Sequence, residues 1–254
     1  MSDTDKIMKK ISIFSFLIAT GLVLNISCTS TKEIHKNMNS RSYSIAYIMD
    51  SKVSDSKSNI TISVDTVFFN PNIMSDTTKI KREKGWCVPL IFINIWNSQN
   101  RCGQGKSMIE EEIPSFLRTS LISEISRSGN FNADTFDNSD YTIELSIDEI
   151  KTEGPYISSG FFYFALFAYG YSYSDKAGPA ISNLQISYKL KKNGQVIHNN
   201  IFNSEKITEP INKRYNSKSI LQQDYAISMI EAISFNFKNT IELIVSDLNR
   251  FLMR

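Results

Sequence analysis

Alternation of apolar and polar residues marks strands along much of the chain. From Asn59 to Phe69, Ile60, Ile62 and Val64 share one face, while Thr61, Ser63 and Asp65 share the other. Asp140 to Glu149 repeats the pattern, with Tyr141, Ile143, Leu145 and Ile147 inward and Thr142, Glu144, Ser146 and Asp148 outward. Leu184, Ile186, Tyr188 and Leu190 alternate again. Asn193-Gly194 then supplies a tight hairpin turn, and Gln195 to Phe202 returns as the paired strand. Val88 to Trp96 is almost continuously apolar, as expected of a strand covered on both faces, with Pro89 at its start.

Two stretches switch to helical spacing. Ser107-Met108-Ile109-Glu110 reads as a capping box, and Ile109, Ile113, Phe116, Leu117, Leu121 and Ile125 line one face up to the stop at Gly129. Pro114 either kinks this helix or sits in the first turn of a shorter one starting near Ile113. From Ser219 to Arg254 there is no Gly or Pro, and Ile227, Ile230, Ile233, Phe237, Ile241, Ile244, Leu248 and Phe251 form a long stripe. The order predicts an α+β fold, a mostly antiparallel sheet packed against two amphipathic helices, the last one long.

The first thirty residues speak of address. Lys9 and Lys10 precede an apolar run from Ile11 to Ile26, followed by Ser27 and Cys28. A basic lead, an apolar stretch and a small residue describe a secretory signal. The run is shorter than the roughly 20 residues of a spanning helix and carries Ser15, Thr20 and Asn25, which favours a cleaved signal. Met8-Lys9-Lys10 makes a more conventional start than the acidic lead containing Asp3 and Asp5. Leu24-Asn25-Ile26-Ser27-Cys28 resembles a bacterial lipobox, in which cleavage precedes a Cys that is then acylated, although Asn25 stands where that pattern prefers Leu. The resulting division is a signal peptide over 1–27, lipidated Cys28 with a polar tether to residue 58, and one α+β domain over 59–254. Without acylation, the same pattern describes a secreted protein with a free Cys28.

Charge adds little to the address. Lys and Arg total 28 against 26 Asp and Glu, a formal charge of +2, so the chain has no electrostatic case for nucleic acid. Attachment to a membrane would rest on acyl chains, each buried methylene contributing about 0.8 kcal/mol. With Cys28 acylated, Cys87 and Cys102 remain as an even pair outside the cytosol. A bridge between them would close a loop of about 15 residues, worth about 3 kcal/mol; the alternative is two buried thiols that never meet. Neither His35 nor His198 lies near them in sequence, so no metal site and no cofactor is expected.

Catalytic chemistry finds little purchase. Gly103-Gln104-Gly105-Lys106-Ser107 ends like a phosphate-binding loop, but Asn100 stands where the pattern requires Gly, so a turn before a helix explains it and no nucleotide is expected. Glu110, Glu111 and Glu112 read as acidic residues complementing a helix dipole, and His198 as an exposed strand residue. The protein is expected not to be an enzyme. The segment Gly160 to Tyr171 stands apart, with seven aromatic residues in twelve positions. Gly154-Pro155 and Gly178-Pro179 frame it as an aromatic insertion over 155–179. It folds onto the sheet edge as a loop or short helix, meets a partner or membrane, or lines an apolar cavity. Phe161, Phe162, Phe164, Phe167, Tyr169 and Tyr171 are the contact residues it offers.

The lipobox Cys, the tether, the Pro-containing apolar strand, the helix closing on Ser128-Gly129-Asn130-Phe131 and the strand opening at Asp140-Tyr141 together resemble bacterial envelope lipoproteins. They look similar to the auxiliary lipoproteins of ABC-type lipid transport systems, and to lipopolysaccharide-assembly lipoproteins with two helices and four strands. The resemblance implies a non-enzymatic accessory binding component of an envelope assembly or lipid-transport machine. Such a protein would be lipid-anchored facing the periplasm, with an envelope protein or a second copy as partner; Thr29-Ser30-Thr31-Lys32, with no Asp at the second position after the Cys, favours the outer membrane. The alternative is a lipid-binding carrier with an apolar cavity between sheet and helices.

Overall fold

A single long strand organises the architecture. The computed structural model describes residues 31–55, 57–70, 72, 74, 79–82, 92–134, 139–165, 168–211 and 217–253. The elements run α1 (Thr31–Met38), β1 (Thr61–Phe69), β2 (Lys79–Arg82), β3 (Phe92–Gly103), α2 (Ile113–Ser128), β4 (Asn132–Asp134), β5 (Tyr141–Ala165), β6 (Ala168–Ala177), β7 (Ile181–Lys192), β8 (Gln195–Ile207) and α3 (Lys218–Leu252). Strand β5 has 25 residues, a span of roughly 80 Å.

The two halves of β5 serve different neighbours. Its first half runs parallel to β1 and antiparallel to β7, which in turn pairs with β8. Its second half lies antiparallel between β3 and β6, with β2 on the far side of β3. The predicted α+β class, with a mostly antiparallel sheet and a long final helix, is the observed one. The parallel partners of the sheet are β1–β5 and β1–β4.

A bulge explains how the strand read as ending at Glu149 continues. Ile147 pairs with Ile186 and Glu149 with Gln185, leaving Asp148 extra on β5. The inward set therefore switches from Ile143, Leu145 and Ile147 to Ile150, Thr152 and Tyr156, all buried. The Asn193-Gly194 turn forms as predicted, with φ of 51° and 78°, the left-handed values of a type I′ hairpin.

Both larger helices pack on one face of the first half of the sheet. Leu117, Leu121 and Ile125 of α2 and Ile233, Phe237, Ile241, Ile244 and Leu248 of α3 bury against Ile62, Val64, Ile143, Leu145, Ile186 and Leu190. Phe116 meets Phe237 edge to face, ring centroids 5.4 Å apart. Ile227, read as part of the stripe, is exposed; Tyr225, Ala226 and Met229 are buried in its stead.

The helix α2 begins at Ile113 with Pro114 in its first turn, so the shorter of the two readings holds. The capping box does not form. Ser107 lies in a 3-10 turn, and its hydroxyl donates to Asn39 Oδ1. Glu110 and Glu111 precede the helix and accept hydrogen bonds from Ser44 Oγ and the Ile45 N–H.

Those two bonds belong to a further difference from the sequence reading. Much of the stretch taken as a polar tether is folded onto the domain. Ile34 and Met38 of α1 are buried, and Asn37 donates to Gln222 of α3. Residues 41–55 then cross the helix layer as a strap: Ile45 is buried, Tyr47 donates to the buried Glu124 at 2.6 Å, and Arg127 donates to the Ser51 carbonyl. Composition hid this because few apolar side chains suffice when polar ones reach the helices.

Candidate functional site

The aromatic segment is an arm of the sheet, neither a loop nor a short helix. The end of β5 and β6 form a hairpin in register from Tyr156–Ala177 to Ala165–Ala168, and β3 flanks it from Gly103 to Phe92. Period-2 alternation could not reveal the end of β5, because apolar residues occupy both of its faces from Phe161 to Phe164. The insertion reading is therefore corrected: the segment extends an existing strand.

Register assigns each side chain to a face. Phe161 stands beside Ile95 and Ser172, and Tyr163 beside Ile93 and Gly170. Phe161, Tyr163 and Ile95 are exposed there. The Phe161 and Tyr163 rings stack with centroids 6.4 Å apart. On the other face, Gly160 lies between Trp96 and Tyr173, and Phe162 beside Tyr171. Trp96 and Phe162 are buried, while Tyr169, Tyr171 and Tyr173 are exposed. Of the predicted contact residues, Phe161 is thus exposed on one face of the arm, Tyr169 and Tyr171 are exposed on the other, and Phe162 is buried. Phe164 holds its place in the β5–β6 register, but its side chain, like all of Phe167, lies outside the described residues.

The arm is electrically silent. No charged residue occurs from Gly154 to Ser174, nor from Phe92 to Asn100. At its root, Lys218 of α3 lies 3.8 Å from Asp175 Oδ2 and 5.5 Å from the centroid of the Tyr173 ring. On the same face, Asn100 sits opposite Tyr156 and Ser98 opposite Ser158, all fully or nearly fully buried. Among the described residues, both amide atoms of Asn100 and the Ser158 hydroxyl find no hydrogen-bond partner.

The other predicted sites fare differently. Cys28 and Cys87, carrying the lipidation and half of the bridge, lie outside the described residues. Cys102 of β3 is buried and has no disulfide partner among the described residues, and burial pushes its pKa up to about 12. Among the described residues, no group of three His, Cys, Asp or Glu could hold a metal ion, and no helix is long and apolar enough to cross a membrane.

Sequence reasoning missed one polar cluster. Asp247 of α3 accepts from Tyr188 at 2.6 Å and Asn200 at 3.2 Å, pairs with Arg250, and lies 2.9 Å from His198 Nε2. His198, read as exposed, stacks on Phe251 with centroids 4.3 Å apart. The signal was present: an acid flanked by Ile244 and Leu248 on a buried stripe requires partners. The cluster clamps the end of α3 to the β7–β8 hairpin.

The space between sheet and helices, where a carrier would need its cavity, is occupied by core side chains such as Leu121, Leu145, Ile186 and Ile241. A groove of about 570 Å³ lies on the outer side instead, between the strap and α3, lined by Tyr43, Ile48, Ile227 and Phe235 among others.

Against known proteins, the α+β domain is similar to the crystal structure of protein XCC0632 from Xanthomonas campestris, of the DUF330 family. The TM-score is 0.47 with 10% identity, covering 84% of this chain and 99% of that one. A second structure, of an uncharacterised protein, gives a TM-score of 0.31 with 13% identity over 79% and 99% of the two chains. No family model and no curated protein matches the chain. Likenesses this distant carry no argument about function.

Proposed function

We propose that the protein is a bacterial envelope lipoprotein, non-enzymatic, anchored through acylated Cys28, that serves as an accessory binding component of an envelope assembly or lipid-transport machine. The observation that carries the reading is the arm: a projecting, uncharged hairpin with Phe161, Tyr163, Tyr169, Tyr171 and Tyr173 exposed. Patches of this kind mark contact sites, and tyrosine suits a boundary that is apolar at one end and wet at the other. The titratable groups of the Asp247 cluster are engaged in holding the fold together, which favours binding over catalysis.

Helix α1, which follows the proposed anchor in sequence, lies beside the arm root. Glu33 of α1 is within electrostatic range of Tyr156 at the arm root, and Asn37 bonds Gln222 near the start of α3. Cys28 is three residues before Thr31, a reach of about 10 Å. An acylated chain would therefore hold the arm root close to the bilayer, beside membrane-embedded machinery.

The test begins with the mass of the mature N-terminal peptide from a membrane fraction, which should start at an acylated Cys28. An uncleaved or unlipidated terminus overturns the anchor. Phe161→Ser combined with Tyr163→Ser should then abolish recovery of the chain in a crosslinked envelope complex while leaving its melting temperature within a few degrees. Stoichiometric lipid extracted from the purified protein would favour the carrier instead.

A further inference from the structure

We propose that the outer edge of β6 pairs antiparallel with β6 of a second copy of this chain, on a two-fold axis at Tyr171. The inference rests on the reading of the arm as a contact surface and names one occupant for its edge.

Strand β6 bonds to β5 on one side; its other edge meets Ile211 at Ala177, and among the described residues nothing pairs with that edge along Ala168–Ser174. Tyr169, Tyr171 and Tyr173 are 71%, 65% and 48% exposed. Exposed edges are ordinarily blunted by lysine, proline, a bulge or an inward charge. Ala168 to Ser174 has none of these, and its β5 register is unbroken. Charge returns only at Asp175 and Lys176.

The sequence of this edge selects the occupant. Ala168-Tyr169-Gly170-Tyr171-Ser172-Tyr173-Ser174 alternates small and tyrosine residues and reads alike in both directions. Antiparallel pairing centred on Tyr171 places Tyr169 opposite Tyr173, Gly170 opposite Ser172 and Ala168 opposite Ser174. Residues opposite one another share a face, so six tyrosines gather on one side and small residues on the other. No like charges meet. The interface is self-complementary, as a two-fold contact requires. It also keeps the domains apart: Ala177 of each copy lies six residues from the axis, so the two arm roots stand roughly 40 Å from each other.

Sedimentation of the full chain in a mild detergent should show a monomer–dimer equilibrium. Tyr171→Lys should weaken it at least tenfold without lowering the melting temperature. Under mild oxidation, Tyr171→Cys should form a disulfide-linked dimer above the wild-type background. Directly paired α-carbons in an antiparallel ladder lie about 4.5–5.5 Å apart, within disulfide reach. Tyr169→Cys alone should not crosslink, because its two copies are about 13 Å apart, whereas Tyr169→Cys mixed with Tyr173→Cys should.

A wild-type chain that stays monomeric up to about 100 μM overturns the inference, as does equal crosslinking of the Tyr169 and Tyr171 variants. A monomer that binds phosphatidylcholine vesicles through Tyr171 overturns it in favour of a membrane surface. If the dimer is absent but the Phe161 and Tyr163 variant still loses the envelope complex, the inference fails and the proposed function stands. A dimer lost in Tyr171→Lys, with the envelope complex indifferent to Phe161 and Tyr163, reverses that outcome.

Discussion

Trp96 of β3 lies across Gly160 of β5, its indole occupying the place a side chain there would take. A Cβ built on Gly160 would stand 2.3 Å from Trp96 Cζ2 and 2.5 Å from the Ser172 carbonyl oxygen. The second obstacle is backbone, so rotating the indole would not relieve it. The glycine thus lets three strands and a large ring pack at the point where the arm leaves the domain.

Gly160→Ala should therefore destabilise the protein, although alanine is ordinarily preferred to glycine in strands. Overpacking of this kind costs about 1–3 kcal/mol, and each kcal/mol lowers the melting temperature of a domain this size by about 2–4 °C. A melting curve unchanged by the substitution would mean that the indole does not sit on Gly160.

Asn100 gives a prediction of opposite sign. It is buried beside Tyr156, and neither amide atom finds a partner among the described residues; an unpaired buried polar group costs about 1–3 kcal/mol. Asn100→Leu, close in shape and without polar atoms, should raise the melting temperature by several degrees. A fall would show that the amide is paired in solution.

How much of this was legible in sequence depended on one-sided burial. Where one face met the helices and the other met water, as in Thr61–Val64 or Leu184–Leu190, alternation located the strand, and the stripe from Ile230 to Leu248 located the final helix. The arm escaped because Phe161 and Phe162 face opposite sides and both sides are apolar, which removes the period. The strap escaped for the converse reason. Its attachment through Tyr47, Ser51 and Asp50 is polar and long-range, and composition alone cannot distinguish such a segment from a solvated tether. That Phe161, Tyr169 and Tyr171 are exposed was legible from aromatic density alone; that Phe161 and the two tyrosines occupy opposite faces, and that Phe162 turns inward, needed the register.

Cys102 offers a third test. Burial raises its pKa to about 12, so at neutral pH the group is the unreactive thiol. A maleimide should leave Cys102 unmodified in the native protein and modify it once the chain is unfolded, without any reductant. Modification of the unfolded chain only after reduction would reveal a bridge to Cys87 instead.

The cluster around Asp247 makes stability depend on acid in a defined direction. Burial by itself would raise the carboxyl, but hydrogen bonds from Tyr188, His198, Arg250 and Asn200 outweigh it and hold the pKa below the ordinary 3.8. The unfolded chain therefore takes up the proton more readily than the folded one. The stabilisation is complete above about pH 5 and declines as the pH falls through the ordinary carboxyl range toward the folded pKa. Asp247→Ala should cost on the order of 3 kcal/mol at neutral pH, because it strips the acceptor from buried partners. Asp247→Asn should lose less and, having no carboxyl to protonate, should show a shallower fall in melting temperature between pH 5 and pH 3. Parallel acid limbs for wild type and Asp247→Asn would show that the carboxylate is not the group whose protonation loosens the end of α3 from the hairpin.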